Sequence, residues 1–263
     1  MIYPATRALV WAAALTGSLA QSPVSRKQFD VAAVKLTAVS DGHFMLRDPV
    51  GGNFTAEDVT LKMLIMRAYR VHSFQVSGGP DWIHTVRWDI RAKAEGEEGR
   101  MPSAQFEEML RALMEDRFQL KVNHETREMP VYTLLAAKNG PKLTLSTGGS
   151  RGVQMRPGTL TFTKSTTATL AAQLSLLTGR VVIDKTGLTS DYDFELRWAQ
   201  EAGQGSPDAF GLSAVASDTP PPVDANGPSI FTALQEQLGL RLESQKGPVE
   251  MLVIDHVEKP SEN

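Results

Sequence analysis

Apolar positions along this chain switch between two periods. Over residues 61–69, Leu61, Leu64, Ile65, Ala68 and Tyr69 recur at i, i+3, i+4, i+7 and i+8, which puts them on one face of an α-helix. The stretch from Asn53 reads as extended, and Thr60 stands where its hydroxyl can accept from a free first-turn amide, so the helix is expected to begin there. A second helix is predicted over 103–118, "SAQFEEMLRALMEDRF", with Ser103 as its cap and Phe106, Met109, Leu110, Leu113 and Met114 as its stripe. Elsewhere the period shortens. "FDVAAVKL" (29–36) and "RWDIRAKA" (87–94) read as strands. "VSGGPDWI" (76–83) reads as a turn-rich loop, because Gly78-Gly79-Pro80 cannot continue a helix. "FQLKVNHE" (118–125) and "PVYTLLAAK" (130–138) read as the two arms of a β-hairpin.

The same order recurs further along. "TLTFTKSTTATLAAQLSLLTG" (159–179) predicts a strand and then a helix carrying Leu170, Leu174 and Leu177, stopped by Gly179. "RVVIDKTGL" (180–188) falls where the region around "FQVSGGPDWI" falls, and "DYDFELRW" (191–198) where "VRWDIRAK" falls, matching Asp193 to Asp89. In "SIFTALQEQLGLRLESQKGPVEMLVIDHVEK" (229–259), Leu234 matches Leu113, Leu242 matches Leu120 and Leu252 matches Tyr132. The expected fold class is therefore α+β, with two tandem related modules, each strand-helix-strand-strand-helix-hairpin. The boundaries read as 21–140 for the first module, 141–158 for a linker and 159–263 for the second. Residues 199–228, rich in Ala, Gly, Pro and Ser, are expected to form a mobile insertion in the second module.

Composition narrows the classes. The chain has 263 residues, 41% hydrophobic and 22% charged, enough to bury a core. A formal net charge of -3 argues against a dedicated nucleic-acid binder, which needs a concentrated basic surface. The first residues differ from the rest. Arg7 precedes an apolar run from Ala8 to Leu15, and small side chains at Ser18 and Ala20 suit the shallow subsites of signal peptidase. Residues 1–20 are therefore expected to be a signal peptide cleaved before Gln21, giving an exported chain, periplasmic or extracellular. No later segment is apolar enough to span a bilayer, so no membrane span is expected after cleavage. The chain has no cysteine, so disulfides, thiolate metal sites, a cysteine nucleophile and a cysteine-linked lipid anchor all drop out.

Several motifs invite a catalytic reading. Asp184-Lys185-Thr186-Gly187 resembles the start of the phosphoryl-acceptor signature of P-type ion pumps. That chemistry also needs a Mg²⁺ site built from further carboxylates, and no such loop follows. An aspartate that accepts local backbone amides in a turn is the expectation for Asp184. "GGSRG" (148–152) fits G-x-S-x-G, but "VQMRPGT" follows it where a nucleophile elbow needs a helix. The five histidines form no H-E-x-x-H or H-x-H pair, and strand alternation puts Asp255 and His256 on opposite faces. Trp88 and Trp198 read as packing residues. The loop with Gly78, Gly79 and Trp82 combines a close-approach backbone with an aromatic ring, and is the expected ligand-facing element. No catalytic, cofactor-binding or metal residue is assigned, and no cofactor is expected.

With these segments placed, the chain resembles the soil-associated exported proteins that occur as large paralogous sets in acidobacteria, built on a domain of unknown function. The stretches that carry the resemblance are "FDVAAVK", "VSGGPDWI", "WDIRAKA", "MLRALMEDRFQLKVNHETREMPVYTLLAAKNGPKL", "VVIDKTGLTSDYDFELRW" and "GPSIFTALQEQLGLRLESQKGPVEMLVIDHVEKPSEN". The resemblance implies export and α+β content, and transfers no catalytic residue. A related domain is attached to membrane metallopeptidase-like sensor proteins, whose helices and zinc motif this chain lacks. The pattern ending in "LQEQLGLRLE" is also similar to short periplasmic modules at the N-termini of secretins and TonB-dependent receptors. The function expected is that of an exported, non-enzymatic protein acting by binding or envelope interaction, with an unknown protein or envelope component as partner. The alternatives are an extracellular or periplasmic hydrolase with an inter-module cleft, and a sensor or partner domain of a membrane peptidase.

Overall fold

A computed structural model describes residues 27–40, 42–96, 99–199 and 227–260. The leader expected at 1–20 and all but the ends of the insertion expected at 199–228 lie outside the described residues. At those ends the Ala199 amide donates to the Pro228 carbonyl at 2.8 Å, so the chain leaves and returns at one place.

The first half runs β1 (Val31–Leu36), β2 (Met45–Leu46), β3 (Asn53–Thr60), α1 (Leu61–Tyr69), β4 (Val76–Gly78), α2 (Trp82–Thr85), β5 (Arg87–Lys93), α3 (Ser103–Phe118) and β6 (Lys121–Ala136). The second runs β7 (Thr144–Leu145), β8 (Gly152–Arg156), β9 (Thr159–Ser165), α4 (Thr167–Thr178), β10 (Val182–Asp184), β11 (Tyr192–Arg197), α5 (Ile230–Leu238) and β12 (Leu240–His256). The fold is mixed α+β.

Helices α1 and α3 form over the stretches whose apolar period predicts them, whereas α2 rises from the stretch expected as a loop. Thr60 caps α1 by accepting from the Met63 amide, and Leu61, Leu64, Ile65 and Ala68 are fully buried. Burying a leucine or isoleucine of that kind stabilises by roughly 1.5–3 kcal/mol relative to leaving it exposed. All five stripe residues of α3 are buried too. Ser103, expected as its cap, is instead its first residue. The N-cap is Pro102, which offers no side-chain acceptor, and its carbonyl takes the Phe106 amide at 3.0 Å. Glu107 is also buried on α3, because the Arg67 guanidinium reaches it from α1 at 2.9 Å and spans to Asp48 at 2.8 Å. A charge buried there is tolerated only because it is paired.

Each half builds a small four-stranded sheet, in the order β1-β5-β3-β2 and β7-β11-β9-β8. Residues 141–158, expected as a linker, contribute β7 and β8 to the second of these sheets, where β8 runs antiparallel to β9 from Gly152–Thr163 to Arg156–Thr159. Their turn-rich composition hid two short paired strands.

The hairpin expected at 118–138 is not formed. Lys121–Ala136 is one 16-residue strand, and Leu240–His256 is one 17-residue strand. They pair antiparallel with each other along their whole length, Leu240 opposite Ala136 and Ile254 opposite Val122. Pro130 fits inside the strand because its missing amide faces the flank away from β12, so no ladder bond is lost. The third sheet, β10-β6-β12-β4, is completed by exchange. β4 of the first half lies parallel to β12, with Val76 opposite Leu252, and β10 of the second half lies parallel to β6, with Val182 opposite Tyr132. Tyr132 and Leu252, matched in the sequence, hold reciprocal places.

Alternation along β6 and β12 divides their side chains between two faces. One face joins two large cores at its ends, through Leu252 and Ile254 in the first half and Leu134 and Leu240 in the second. The other carries a smaller cluster at the middle: Val131, Val249 and Met251, flanked by Met129, Val181 and Ile183.

Candidate functional site

The Gly78–Trp82 segment is held against the chain's own backbone. Gly78 has φ +79°, and a Cβ there would lie 2.8 Å from the Ile254 carbonyl oxygen of β12. A Cβ on Gly79 would lie 3.1 Å from Ile83 Cδ1 and 3.3 Å from Ile254 Cδ1. The close approach that these glycines permit is to β12. Trp82 opens α2, is half-buried against the first core, and has Lys259 Nζ 5.9 Å from its ring centroid. The structure thus brings Gly78, Gly79 and Trp82 together beside the end of β12.

Asp184 ends β10 at the place that Gly78 holds in β4. Its carboxylate accepts from Thr167 Oγ1 at 2.7 Å, from the Thr186 amide at 2.9 Å and from Thr186 Oγ1 at 2.7 Å. The side chain closes a turn and ties β10 to the start of α4. "GGSRG" runs into strand β8 rather than a helix, and Arg151 forks onto Asp191 at 3.0 and 3.1 Å. Asp255 accepts from Asn123 at 2.7 Å while His256 meets Glu258 at 3.0 Å, so the two neighbours serve different partners. Trp88 and Trp198 are buried in the two large cores. Among the described residues no three His, Asp or Glu gather as a metal site.

A polar device recurs in the two small sheets. In the first, β3 bulges between Ala56 and Val59, Asp58 takes φ 55°, and its amide donates to the Asp89 carboxylate at 3.0 Å. In the second, Lys164 takes φ 46° and its amide donates to Asp193 at 2.6 Å, where the β9–β11 register shifts between Tyr192 and Phe194. The two aspartates matched in the sequence hold matching bulges. In the first half the bulge residue is itself a buried acid. Ser40 Oγ donates to Asp58 Oδ2 at 2.8 Å, and Arg87 donates to the Asp58 carbonyl at 2.9 Å.

The concavity that draws on both halves lies over the middle of the third sheet. It encloses about 170 Å³ and is lined by Phe74, Met129, Pro130, Gly179, Arg180, Val181 and Val249. Phe74 stands two residues before β4 and Arg180 two residues before β10, so the exchanged strands deliver them. Met129 and Val249 come from the long strands beneath. His72 stacks on Phe74 at 5.2 Å between centroids, and its burial pushes the imidazole pKa below the ordinary value. Arg180 is exposed and lies 5.3 Å from the Tyr132 ring centroid. The result is an apolar floor with one cation at its rim, which suits an apolar group carrying a nearby negative charge. Sequence reasoning missed this cleft. Its signal was the apolar pairs Met129/Val131 and Val249/Met251 inside otherwise polar stretches, masked by the hairpin reading.

A family model described as Protein of unknown function (DUF3738) matches residues 62–257. The chain belongs to that family. The match begins within α1 and ends just past β12, so it takes in both exchanged strands and the cleft. No curated protein and no solved structure matches the chain.

Proposed function

We propose that this family member is an exported, non-catalytic binding protein whose ligand seats in the cleft over the β6–β12 ribbon. One observation carries the reading: the cleft walls come as counterparts from the two halves, Phe74 with Arg180 and Met129 with Val249. Such a site exists only because β4 and β10 are exchanged, and neither half holds it alone. The lining offers apolar carbon and a guanidinium rather than paired carboxylates or an imidazole beside a hydroxyl, which supports binding over hydrolysis. A volume of about 170 Å³ takes one side chain or small substituent of a longer molecule. The ligand is therefore an extended peptide or polymer of the cell envelope that inserts an apolar group and sets an acidic group against Arg180.

The same reading takes the two halves as copies of one ancestral module. Its support is the matched sheet order, the reciprocal exchange and the Asp89 and Asp193 bulges. Export rests on the apolar leader, and a mature N-terminus at Gln21 in protein recovered from the periplasm or medium tests it.

Binding is tested with fluorescent hexapeptides carrying a central Leu or Phe beside Asp, titrated by anisotropy. Phe74→Ala and Arg180→Glu are each expected to weaken binding by about tenfold or more, the range for a central apolar anchor or a paired charge. Equal affinity in wild type and both variants, or turnover of the peptide, overturns the proposal.

A further inference from the structure

The flank of β6 that faces away from β12 is covered by β10 only at Tyr132–Leu134. The Tyr132 amide donates to the Val181 carbonyl and the Lys185 amide to the Leu134 carbonyl, so the even-numbered residues of β6 turn their backbone groups to this flank. By alternation, Val122, His124, Thr126 and Glu128 do the same. Among the described residues no strand pairs with the flank there, and residues 123–128 are exposed. An open strand edge of this length is a template for another strand. The corresponding flank of β12 is blunted. Pro248 has no amide to offer, and Gln75 Nε2 occupies the Glu250 carbonyl at 2.9 Å.

We propose that this edge pairs with the same edge of a second copy of the chain, antiparallel and centred on Thr126. The charge order selects both the partner and the register. The exposed segment reads His124-Glu125-Thr126-Arg127-Glu128. Centred on Thr126, it sets Glu125 opposite the second copy's Arg127, Arg127 opposite its Glu125, and His124 opposite its Glu128. Within one chain, Arg127 already pairs with Glu125 at 2.7 Å, so the dimer closes an alternating square of four charges. Moving the centre by one residue sets Glu125 against Glu125 or Arg127 against Arg127, and like charges directly opposite are destabilising. The Thr126 centre also satisfies backbone parity, because Thr126 and its copy exchange two hydrogen bonds, as do His124 and Glu128. Pro130 marks one end of the pairing, where it contributes only its carbonyl. The two central ribbons join into one continuous sheet across a two-fold axis.

Sedimentation velocity on the full chain tests this, beginning at a concentration on the order of 10 μM. The wild type is expected to dimerise. Arg127→Glu places like charges opposite each other twice and should weaken the dimer by about tenfold or more. The double swap Glu125→Arg with Arg127→Glu restores complementarity and should restore the dimer, which a general loss of folding would not do. Thr126→Pro removes an outward amide with no backbone partner among the described residues, and should leave a folded monomer by circular dichroism. The chain has no cysteine, so an introduced one reports a single contact. Thr126→Cys should crosslink to itself, since residues opposite each other in a hydrogen-bonded pair lie about 5.5 Å apart at Cα, within disulfide reach. Glu128→Cys lies four residues out of step with its copy, about 13 Å, and should not crosslink. A monomer at all concentrations, a dimer indifferent to Arg127→Glu, no rescue by the swap, or equal crosslinking at both positions overturns the proposal.

Discussion

The backbone amide of Lys164 donates to the carboxylate of Asp193 at 2.6 Å. Lys164 sits at φ 46°, in the left-handed region, so the bond helps hold a bulge that the residue alone would avoid. Asp58 and Asp89 stand in the same relation at 3.0 Å, and Asp89 Oδ1 also accepts from Thr37 Oγ1 at 2.8 Å. Asp89→Ala strands two donors, one beside a buried acid, and is expected to cost about 2–3 kcal/mol. Asp193→Ala should cost about 1–2 kcal/mol. Urea unfolding checks both, and a smaller loss at Asp89 than at Asp193 would count against this account.

Gly78→Ala is expected to cost about 2 kcal/mol or more, combining a positive φ with a clash against the Ile254 carbonyl. The damage should centre on the β4–β12 pairing. Hydrogen exchange is expected to show faster exchange on β4 and at Leu252–Ile254 than on β10 and Tyr132–Leu134, and a uniform increase would refute that localisation.

Asp184→Asn keeps one acceptor oxygen for three donors and is expected to lower stability by about 1 kcal/mol, while Asp184→Ala should lower it by about 2 kcal/mol. Thermal melts of the two variants test the ranking. Appearance of an acid-stable phosphorylated species that depends on Asp184 would replace the turn reading with a catalytic one.

His72 introduces a pH dependence. Its folded-state pKa is lowered by burial, below the ordinary 6.5. The unfolded chain therefore binds more protons in the window just below that value, and stability falls as pH drops through it. Above it the imidazole is neutral in both states and contributes no slope. His84 is lowered as well, by burial and then by Lys62, with Asp81 opposing. It adds in the same direction. His72→Gln should flatten the decline between pH 7 and the folded-state pKa, as measured by urea midpoints across that range. An unchanged slope would show that the stacked ring on Phe74 does not sense protonation.

Helices α1, α3 and α4 and strands β1, β5, β9 and β11 were legible in the sequence because their causes are local, whereas β2, β7, β8 and α2 were not. Thr60 accepts from Met63 three residues away, and the α1 stripe follows the helical period. The pairing of Asp193 with Asp89 as counterparts was legible too, since both follow from element order. The candidate site was less so. Gly78, Gly79 and Trp82 were visible as an unusual loop, but that the backbone they admit is β12 follows from a contact 176 residues away, between Gly78 and Ile254. Phe74, Arg180, Met129 and Val249 carry no shared motif.

By itself the sequence determined the periodicities, the start of α1 after Thr60 and the absence of thiol chemistry. Each of these rests on side-chain properties or on interactions within a few residues. Tertiary structure alone decided that Lys121–Ala136 and Leu240–His256 are single strands paired with each other, and that β4 and β10 change places. The physical reason is that alternation fixes which face a side chain takes but not which strand satisfies the backbone. A hairpin and a long ribbon offer the same pattern, and only the choice of distant partner creates the cleft and leaves the flank at Thr126 open.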